Sequence, residues 1–150
     1  MITRFILNGK LVEVDVDPGE ILLNTLRFKL KVKSVKRSCE RGECGSCTVL
    51  VNGKPVLSCI ILTPQVEGKE VVTVEGLLND PLFNKLIKNF IENGAIQCGF
   101  CTPGILLTAW AGIKEGKMTS IDSIREYLGN LCRCTGYVKI MNAIYKAITE

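Results

Sequence analysis

The first half of the chain alternates apolar and polar residues in the way that β-strands do. RFILNGKLVEVDV (residues 4–16) carries valines that alternate with acidic residues, and its Asn8-Gly9 dipeptide is typical of a two-residue hairpin turn. TVLVNGKPVLSC (residues 48–59) repeats this arrangement with Asn52-Gly53. The pattern therefore predicts two β-hairpins, and VVTVEG (residues 71–76) adds a last strand.

Between the hairpins, DPGEILLNTLRFKL (residues 17–30) has the features of a helix. Asp17 is expected to be the N-cap, Pro18 to occupy the first helical position and Glu20 to complete a capping box. Apolar residues at helical spacing follow Glu20. A helix that crosses a small sheet makes an α+β domain, which we place at residues 1–76.

After Gly76 the apolar period becomes that of helices, about 3.6 residues. Proline or hydroxyl-bearing residues mark most of the expected helix starts, and glycines mark most of the helix ends. The four predicted helices run from Pro81 to Gly94, from Thr102 to Gly116, from a Thr119 or Ser120 cap to Gly129, and from Tyr137 to Ile148. We therefore expect an all-α four-helix bundle over residues 77–150.

The composition is that of an ordinary globular protein, with 47% hydrophobic and 23% charged residues. The net charge of +4 is mild and the basic residues are scattered, which argues against a nucleic-acid partner. No Walker or GxGxxG loop suggests nucleotide binding. The N-terminus has neither a signal-peptide core nor the length of a membrane span, so we expect a cytoplasmic protein with no membrane insertion.

Eight cysteines and no histidine mean that any metal site in this chain depends on sulfur. The cysteines divide into two tetrads, one in each half. They are Cys39, Cys44, Cys47 and Cys59 in the first tetrad, and Cys98, Cys101, Cys132 and Cys134 in the second. The first tetrad has the C-x4-C-x2-C spacing and distant fourth cysteine of plant-type [2Fe-2S] ferredoxins. Gly42 and Gly45 would let the backbone of this loop approach such a cluster closely.

The second tetrad is a C-x2-C pair and a C-x-C pair separated by 30 residues. The pairs lie in the first and third interhelical loops, which meet at one end of an up-and-down bundle. The helices that begin at Thr102 and Tyr137 follow these pairs directly, so their N-termini are expected to point toward an anionic cluster. The spacing thus predicts a second four-thiolate metal site.

Structural zinc is the main alternative, because CxxC and CxC pairs both suit a tetrahedral zinc site. Disulfides are disfavoured in a reducing compartment, and isolated buried cysteines do not explain two spaced tetrads. A Rieske centre is excluded, since that cluster needs two histidines. Zinc would make this chain a zinc-stapled interaction module, whereas iron would make it an electron carrier.

Four segments together resemble the iron-sulfur subunit of the molybdenum hydroxylases, the xanthine dehydrogenase and aldehyde oxidoreductase family. They are CERGECGSCTV (39–49), LSC (57–59), QCGFCTPG (97–104) and LCRCTGY (131–137). The resemblance implies an N-terminal β-grasp [2Fe-2S] ferredoxin domain and a four-helix [2Fe-2S] domain. Cys39, Cys44, Cys47 and Cys59 would ligate the first cluster, and Cys98, Cys101, Cys132 and Cys134 the second.

The resemblance also implies partners and a direction of electron flow. Gln97 and Cys134 would contact the molybdopterin of a large catalytic subunit, and the first cluster would face an FAD-binding medium subunit. Electrons would pass from molybdenum through both clusters to FAD, so this chain would have no active site of its own and the substrate pocket would lie in another chain. A free-standing ferredoxin-like carrier is the alternative within electron transfer, although a soluble carrier has no need of the second domain.

Overall fold

We describe a computed structural model of residues 1–150, in which the first half forms one five-stranded sheet. The strands are β1 (Ile2–Leu7), β2 (Lys10–Asp15), β3 (Thr48–Val51), β4 (Lys54–Leu57) and β5 (Glu70–Val72), in the order β2-β1-β5-β3-β4. Only the central β1–β5 pair is parallel. The two hairpins and the last strand that the alternating pattern predicted are present, and the last strand lies between the hairpins.

The two hairpin turns are those that the sequence predicted. Both residues of each turn have positive φ, 50° and 82° at Asn8 and Gly9, and 49° and 79° at Asn52 and Gly53. Asparagine and glycine tolerate this left-handed conformation better than other residues, and it matches the twist of the flanking strands. The Asn-Gly dipeptides therefore set the register of both hairpins.

The first helical segment begins later than predicted. It comprises α1 (Leu22–Asn24) and a π-helical turn (Thr25–Lys29), and Ile21 occupies the N-cap position without a side-chain cap. The predicted capping box is wrong because the Glu20 carboxylate accepts hydrogen bonds from Thr25 Oγ1 and Lys29 Nζ, at 2.8 and 2.6 Å. Asp17 instead closes a turn through its carbonyl oxygen, which accepts from the Glu20 amide.

The last strand is also shorter than the predicted 71–76 segment. β5 ends at Val72, and a 3-10 turn follows over Val74–Leu77. The Thr73 amide donates to Asn8 Oδ1 at 2.8 Å, which takes it away from the sheet ladder. The turn residue of the first hairpin therefore also ends the last strand.

The second half contains the four predicted helices. They are α2 (Pro81–Glu92), α3 (Thr102–Lys114), α4 (Ile121–Tyr127) and α5 (Val138–Thr149). Asp80 caps α2 by accepting from the Phe83 amide at 2.8 Å, as predicted. Ser120, and not Thr119, caps α4. None of the helices has the combination of length and hydropathy that a membrane crossing requires.

Strand β3 is where the two halves meet. Val49 and Leu50 are both fully buried, but they point to opposite faces of the sheet. Val49 belongs to the core between the sheet and α1, whereas Leu50 belongs to the core of the helices. Helix α3 packs directly on β3. This contact holds the loops at the ends of both elements close together.

We predict that Asp80→Ala lowers the free energy of unfolding by about 2 kcal/mol, since N-caps contribute about 0.5–2 kcal/mol and a second bond is lost. Asp80 Oδ1 accepts from the Phe83 amide and also from Trp110 Nε1 at 2.9 Å, which ties α2 to α3. Denaturant unfolding of the anaerobic protein would measure the change. Asp122→Ala removes an exposed pair with Arg125 and an acidic residue from the first turn of α4, together worth about 1 kcal/mol or less, and serves as the control. Equal losses in the two variants would contradict this role of Asp80.

Candidate metal centres

The loop of residues 39–47 curls around the thiol of its first cysteine. Gly42 and Gly45 have φ of 76° and 74°, and these turns aim main-chain amides inward. Cys39 Sγ accepts hydrogen bonds from the Cys44 and Glu43 amides at 3.3 and 3.4 Å. Backbone N–H groups of Arg41, Cys44 and Glu43 lower the pKa of the Cys39 thiol to about 6. The loop thus stabilises a thiolate with main-chain dipoles rather than with a basic side chain.

The first tetrad is gathered into two pairs of neighbouring thiols. Cys39 lies beside Cys44, and Cys47 lies beside Cys59. Cys47 and Cys59 are buried, and burial raises the pKa of Cys59 to about 11. The charge of Cys39 also acts on Cys59, so the two pairs face one another. The structure therefore brings all four predicted residues together, although Cys59 follows β4 and the other three lie in one loop.

The second tetrad has the same two-by-two arrangement. Cys101 lies beside Cys132, and Cys98 lies beside Cys134. Burial raises the pKa of Cys101 to about 12. Burial also opposes ionisation of Cys132, but hydrogen bonds led by the one from Thr135 Oγ1, at 3.2 Å, outweigh it and lower the pKa of Cys132. The first and third interhelical loops therefore meet at one end of the helices, as the sequence predicted.

The pairwise arrangement fits a binuclear cluster better than a single ion. A tetrahedral zinc site needs four ligands at about 2.0–2.3 Å from one point. In a [2Fe-2S] cluster each iron takes two cysteines, so the ligands form two pairs. The donor set, which is all sulfur with main-chain amides directed at it, suits this group.

The two tetrads lie on either side of one open cavity of about 450 Å³. Cys44 lines it from the first tetrad, and Cys98, Cys101 and Cys132 line it from the second. Gln97 and Cys134, the two predicted pterin contacts, are both exposed beside the second tetrad. Phe100 and Leu131, 41% and 56% exposed, give the same surface an apolar character. This end of the helices thus presents thiols, an amide and apolar side chains to solvent.

Sequence reasoning missed the residue that joins the two loops. Asn130 is 4% exposed, and its Nδ2 donates to the Gly45 carbonyl oxygen at 2.9 Å. The next amide along the chain, that of Leu131, donates to the Cys44 carbonyl oxygen at 2.8 Å. The one local signal was a Gly-Asn dipeptide directly before a ligand loop. That signal does not identify a partner 85 residues away.

In the metal-free chain we predict that Cys39 is the first thiol to be alkylated by iodoacetamide at neutral pH. Its pKa of about 6 leaves it mostly as the reactive thiolate, whereas Cys59 and Cys101, with pKa values of about 11 and 12, stay protonated. Below pH 6 the Cys39 thiolate is protonated, and its rate falls. Peptide mass spectrometry over time would rank the sites.

Cys134 is the internal control for this alkylation, because it is more exposed than Cys39 but its contact with Cys98 raises its pKa. Faster modification of Cys134 than of Cys39 would mean that access, rather than thiolate stabilisation by the loop amides, decides the order.

Two family models match the chain, and together they span residues 11–145. The model described as "2Fe-2S iron-sulfur cluster binding domain" matches residues 11–92, and the model described as "[2Fe-2S] binding domain" matches residues 73–145. Each matched segment contains one of the cysteine tetrads. The chain therefore has [2Fe-2S]-binding domains.

The nicotinate dehydrogenase small FeS subunit of Eubacterium barkeri is 42% identical over 143 residues, which are 95% of this chain and 91% of that protein. The xanthine dehydrogenase iron-sulfur-binding subunit of Escherichia coli O157:H7 is 40% identical over 141 residues, 92% of this chain and 88% of that protein. Among solved structures, a chain of quinoline 2-oxidoreductase from Pseudomonas putida 86 superposes with a TM-score of 0.92 and 43% identity, over 99% of this chain and 93% of that one.

The aldehyde oxidoreductase of Desulfovibrio gigas superposes with a TM-score of 0.91 and 32% identity over 99% of this chain, which spans only 17% of that longer one. The α+β fold with a ferredoxin-type first half is thus shared with these structures. The chain belongs to the iron-sulfur (small) subunits of the molybdenum hydroxylases, the xanthine dehydrogenase and aldehyde oxidoreductase family.

Proposed function

We propose that this chain is the two-cluster electron-transfer subunit of a heteromeric molybdenum hydroxylase. Electrons would enter from the molybdopterin of a large catalytic subunit and leave to FAD in a medium subunit. The observation that carries the proposal is the gathering of each tetrad, with hydrogen-bond donors directed at Cys39 and Cys132 and with thiols of both tetrads lining one cavity. Cys39, Cys44, Cys47 and Cys59 would ligate the first cluster, and Cys98, Cys101, Cys132 and Cys134 the second.

When bound, a [2Fe-2S] cluster supplies one-electron redox chemistry. The chain itself holds the ligands, directs N–H and O–H groups at the sulfurs, and limits solvent access. Hydrogen bonds to cluster sulfurs raise the reduction potential, and such bonds reach Cys39 from the loop amides and Cys132 from Thr135. The two tetrads differ in their hydrogen-bond donors and in the burial of their thiols. We therefore expect the two clusters to have different reduction potentials.

The surface around the second tetrad supports the order of electron flow. Gln97 and Cys134 are exposed there, and the adjoining apolar side chains of Phe100 and Leu131 suit a large docked subunit. The Cys39 loop carries the exposed charged residues Glu40 and Arg41, and the FAD subunit would dock beside them. Catalytic groups and substrate selection would belong to the partners.

The organisation and location of the chain are part of the same proposal. Residues 1–76 would be the ferredoxin-like domain and residues 77–150 the helical domain, each with one cluster. All eight cysteines are free of disulfide bonds, and free thiols that ligate iron-sulfur clusters would suit the reducing cytoplasm.

Metal analysis with EPR tests the proposal directly. The complex would be purified anaerobically, analysed for iron, zinc and acid-labile sulfide, and examined after dithionite reduction. We expect about four irons and four sulfides per chain, two distinguishable signals and two larger co-purifying subunits. Zinc without sulfide would favour an interaction module. A chain that holds two clusters but purifies without larger subunits would favour a free-standing electron carrier.

A further inference from the structure

Asn130 links the two cysteine loops from a buried position. Its Nδ2 donates to the Gly45 carbonyl oxygen at 2.9 Å and lies 3.4 Å from Thr48 Oγ1. Gly45 lies between Cys44 and Cys47 of the first tetrad, whereas Asn130 is two residues before Cys132 of the second. A single side chain thus bonds one loop to the other at the point where the tetrads approach.

Two glycines pack closely against the Asn130 side chain. A Cβ atom on Gly45 would lie 2.6 Å from Asn130 Nδ2 and 3.0 Å from its Cα. A Cβ atom on Gly104, in the first turn of α3, would overlap the Gly45 carbonyl oxygen. Two residues without side chains therefore make the space that the carboxamide occupies. Close packing of this kind restricts how far the Asn130 side chain and the Gly45 carbonyl group can move relative to each other.

We propose that Asn130 is a positioning residue that sets the separation of the two clusters and thereby the rate of electron transfer between them. The inference rests on the proposed function. With both clusters bound, the step concerned would be the transfer of one electron from the cluster of the second tetrad to that of the first, in which no bond forms or breaks. Its rate falls steeply with distance. The Leu131 amide bond to the Cys44 carbonyl oxygen also crosses this gap, and Asn130, the preceding residue, helps to hold it in place.

The test uses Asn130→Ala and Asn130→Asp in the assembled complex. Alanine removes the donor, while aspartate keeps the shape of the side chain and still removes the amide N–H. The Gly45 carbonyl keeps its bonds from the Thr48 amide and hydroxyl, so neither variant leaves it unpaired. Asn89→Ala is the matched control, because Asn89 is equally buried and also donates to a carbonyl, that of Lys85 within its own helix.

The informative signal is the magnetic interaction between the two reduced clusters, which depends on the inverse cube of their separation. We expect both Asn130 variants to keep about four irons per chain but to lose or narrow the EPR splitting, and to slow reoxidation of the second cluster in rapid-freeze traces. The Asn89 variant should keep the wild-type splitting and rate.

Two outcomes would overturn the inference. One is wild-type splitting and wild-type transfer rates in iron-replete Asn130 variants. The other is loss of iron from both tetrads in both variants, which would make Asn130 a folding residue only. Failure of the proposed function is distinguishable, since it would appear in the wild-type protein as missing iron or a missing second signal.

Discussion

A methyl group at position 104 is expected to lower the free energy of unfolding by about 2 kcal/mol and to loosen the contact between the cysteine loops. Gly104 lies in the first turn of α3, and its φ is not left-handed, so the helix itself would accept alanine. By helix propensity alone, Gly104→Ala would stabilise the protein by about 1 kcal/mol. The new Cβ, however, would overlap the Gly45 carbonyl oxygen, and overpacking of this kind costs about 1–3 kcal/mol or more.

Denaturant unfolding of the anaerobic protein measures this effect, and Gly129→Ala is the control. Gly129 lies next to Asn130 but has open space around its Cα and no left-handed φ. Alanine there should be neutral or slightly stabilising. Helix propensity raises the stability of Gly104→Ala, and the overlap with the Gly45 carbonyl oxygen lowers it. A Gly104→Ala protein as stable as wild type would therefore show that the two loops can move apart to relieve the overlap.

The second large effect is expected from loss of one ligand in each tetrad. Cys59→Ser and Cys101→Ser should each lower the iron content from about four to about two per chain, and each should abolish a different EPR signal. A serine hydroxyl stays protonated near neutral pH and is a poor replacement for a thiolate. Metal analysis and low-temperature EPR of the reduced complexes would record both changes.

Ser58→Ala is the control for these ligand variants. Ser58 is buried next to Cys59 and donates to the Cys47 carbonyl oxygen at 2.7 Å, but it offers no thiol. It should keep both signals. Loss of the same signal in Cys59→Ser and Cys101→Ser would mean that the eight cysteines do not divide into the two proposed ligand sets.

The parts of the fold that sequence predicted correctly depend on local chemistry. Asn8-Gly9 and Asn52-Gly53 adopt left-handed turns, and Asp80 caps the helix that follows it. The predicted cap at Asp17 was wrong because Glu20 is engaged by Lys29, which a local motif does not reveal. Local signals therefore fail where a residue further along the chain competes for the same side chain.

The site shows the same division between local and distant information. The spacing of the cysteines was enough to group them into tetrads. It also predicted that the two loops of the second tetrad lie at the same end of the helices. The approach of one tetrad to the other was not predictable, because it depends on Asn130 meeting Gly45 across 85 residues. Gly104 carried no visible signal either, since its importance comes from a carbonyl oxygen in the other half.

Strand β3 makes it difficult to produce the ferredoxin-like half of the chain as a separate protein. Its apolar side chains serve both faces, with Val49 turned toward α1 and Leu50 toward the helices. Produced as an isolated fragment, residues 1–76 would expose the Leu50 face, and an uncovered apolar sheet face invites aggregation. An engineer who wants a detachable, diffusible redox module would first have to redesign that face with polar side chains, beginning at Leu50 and Val72.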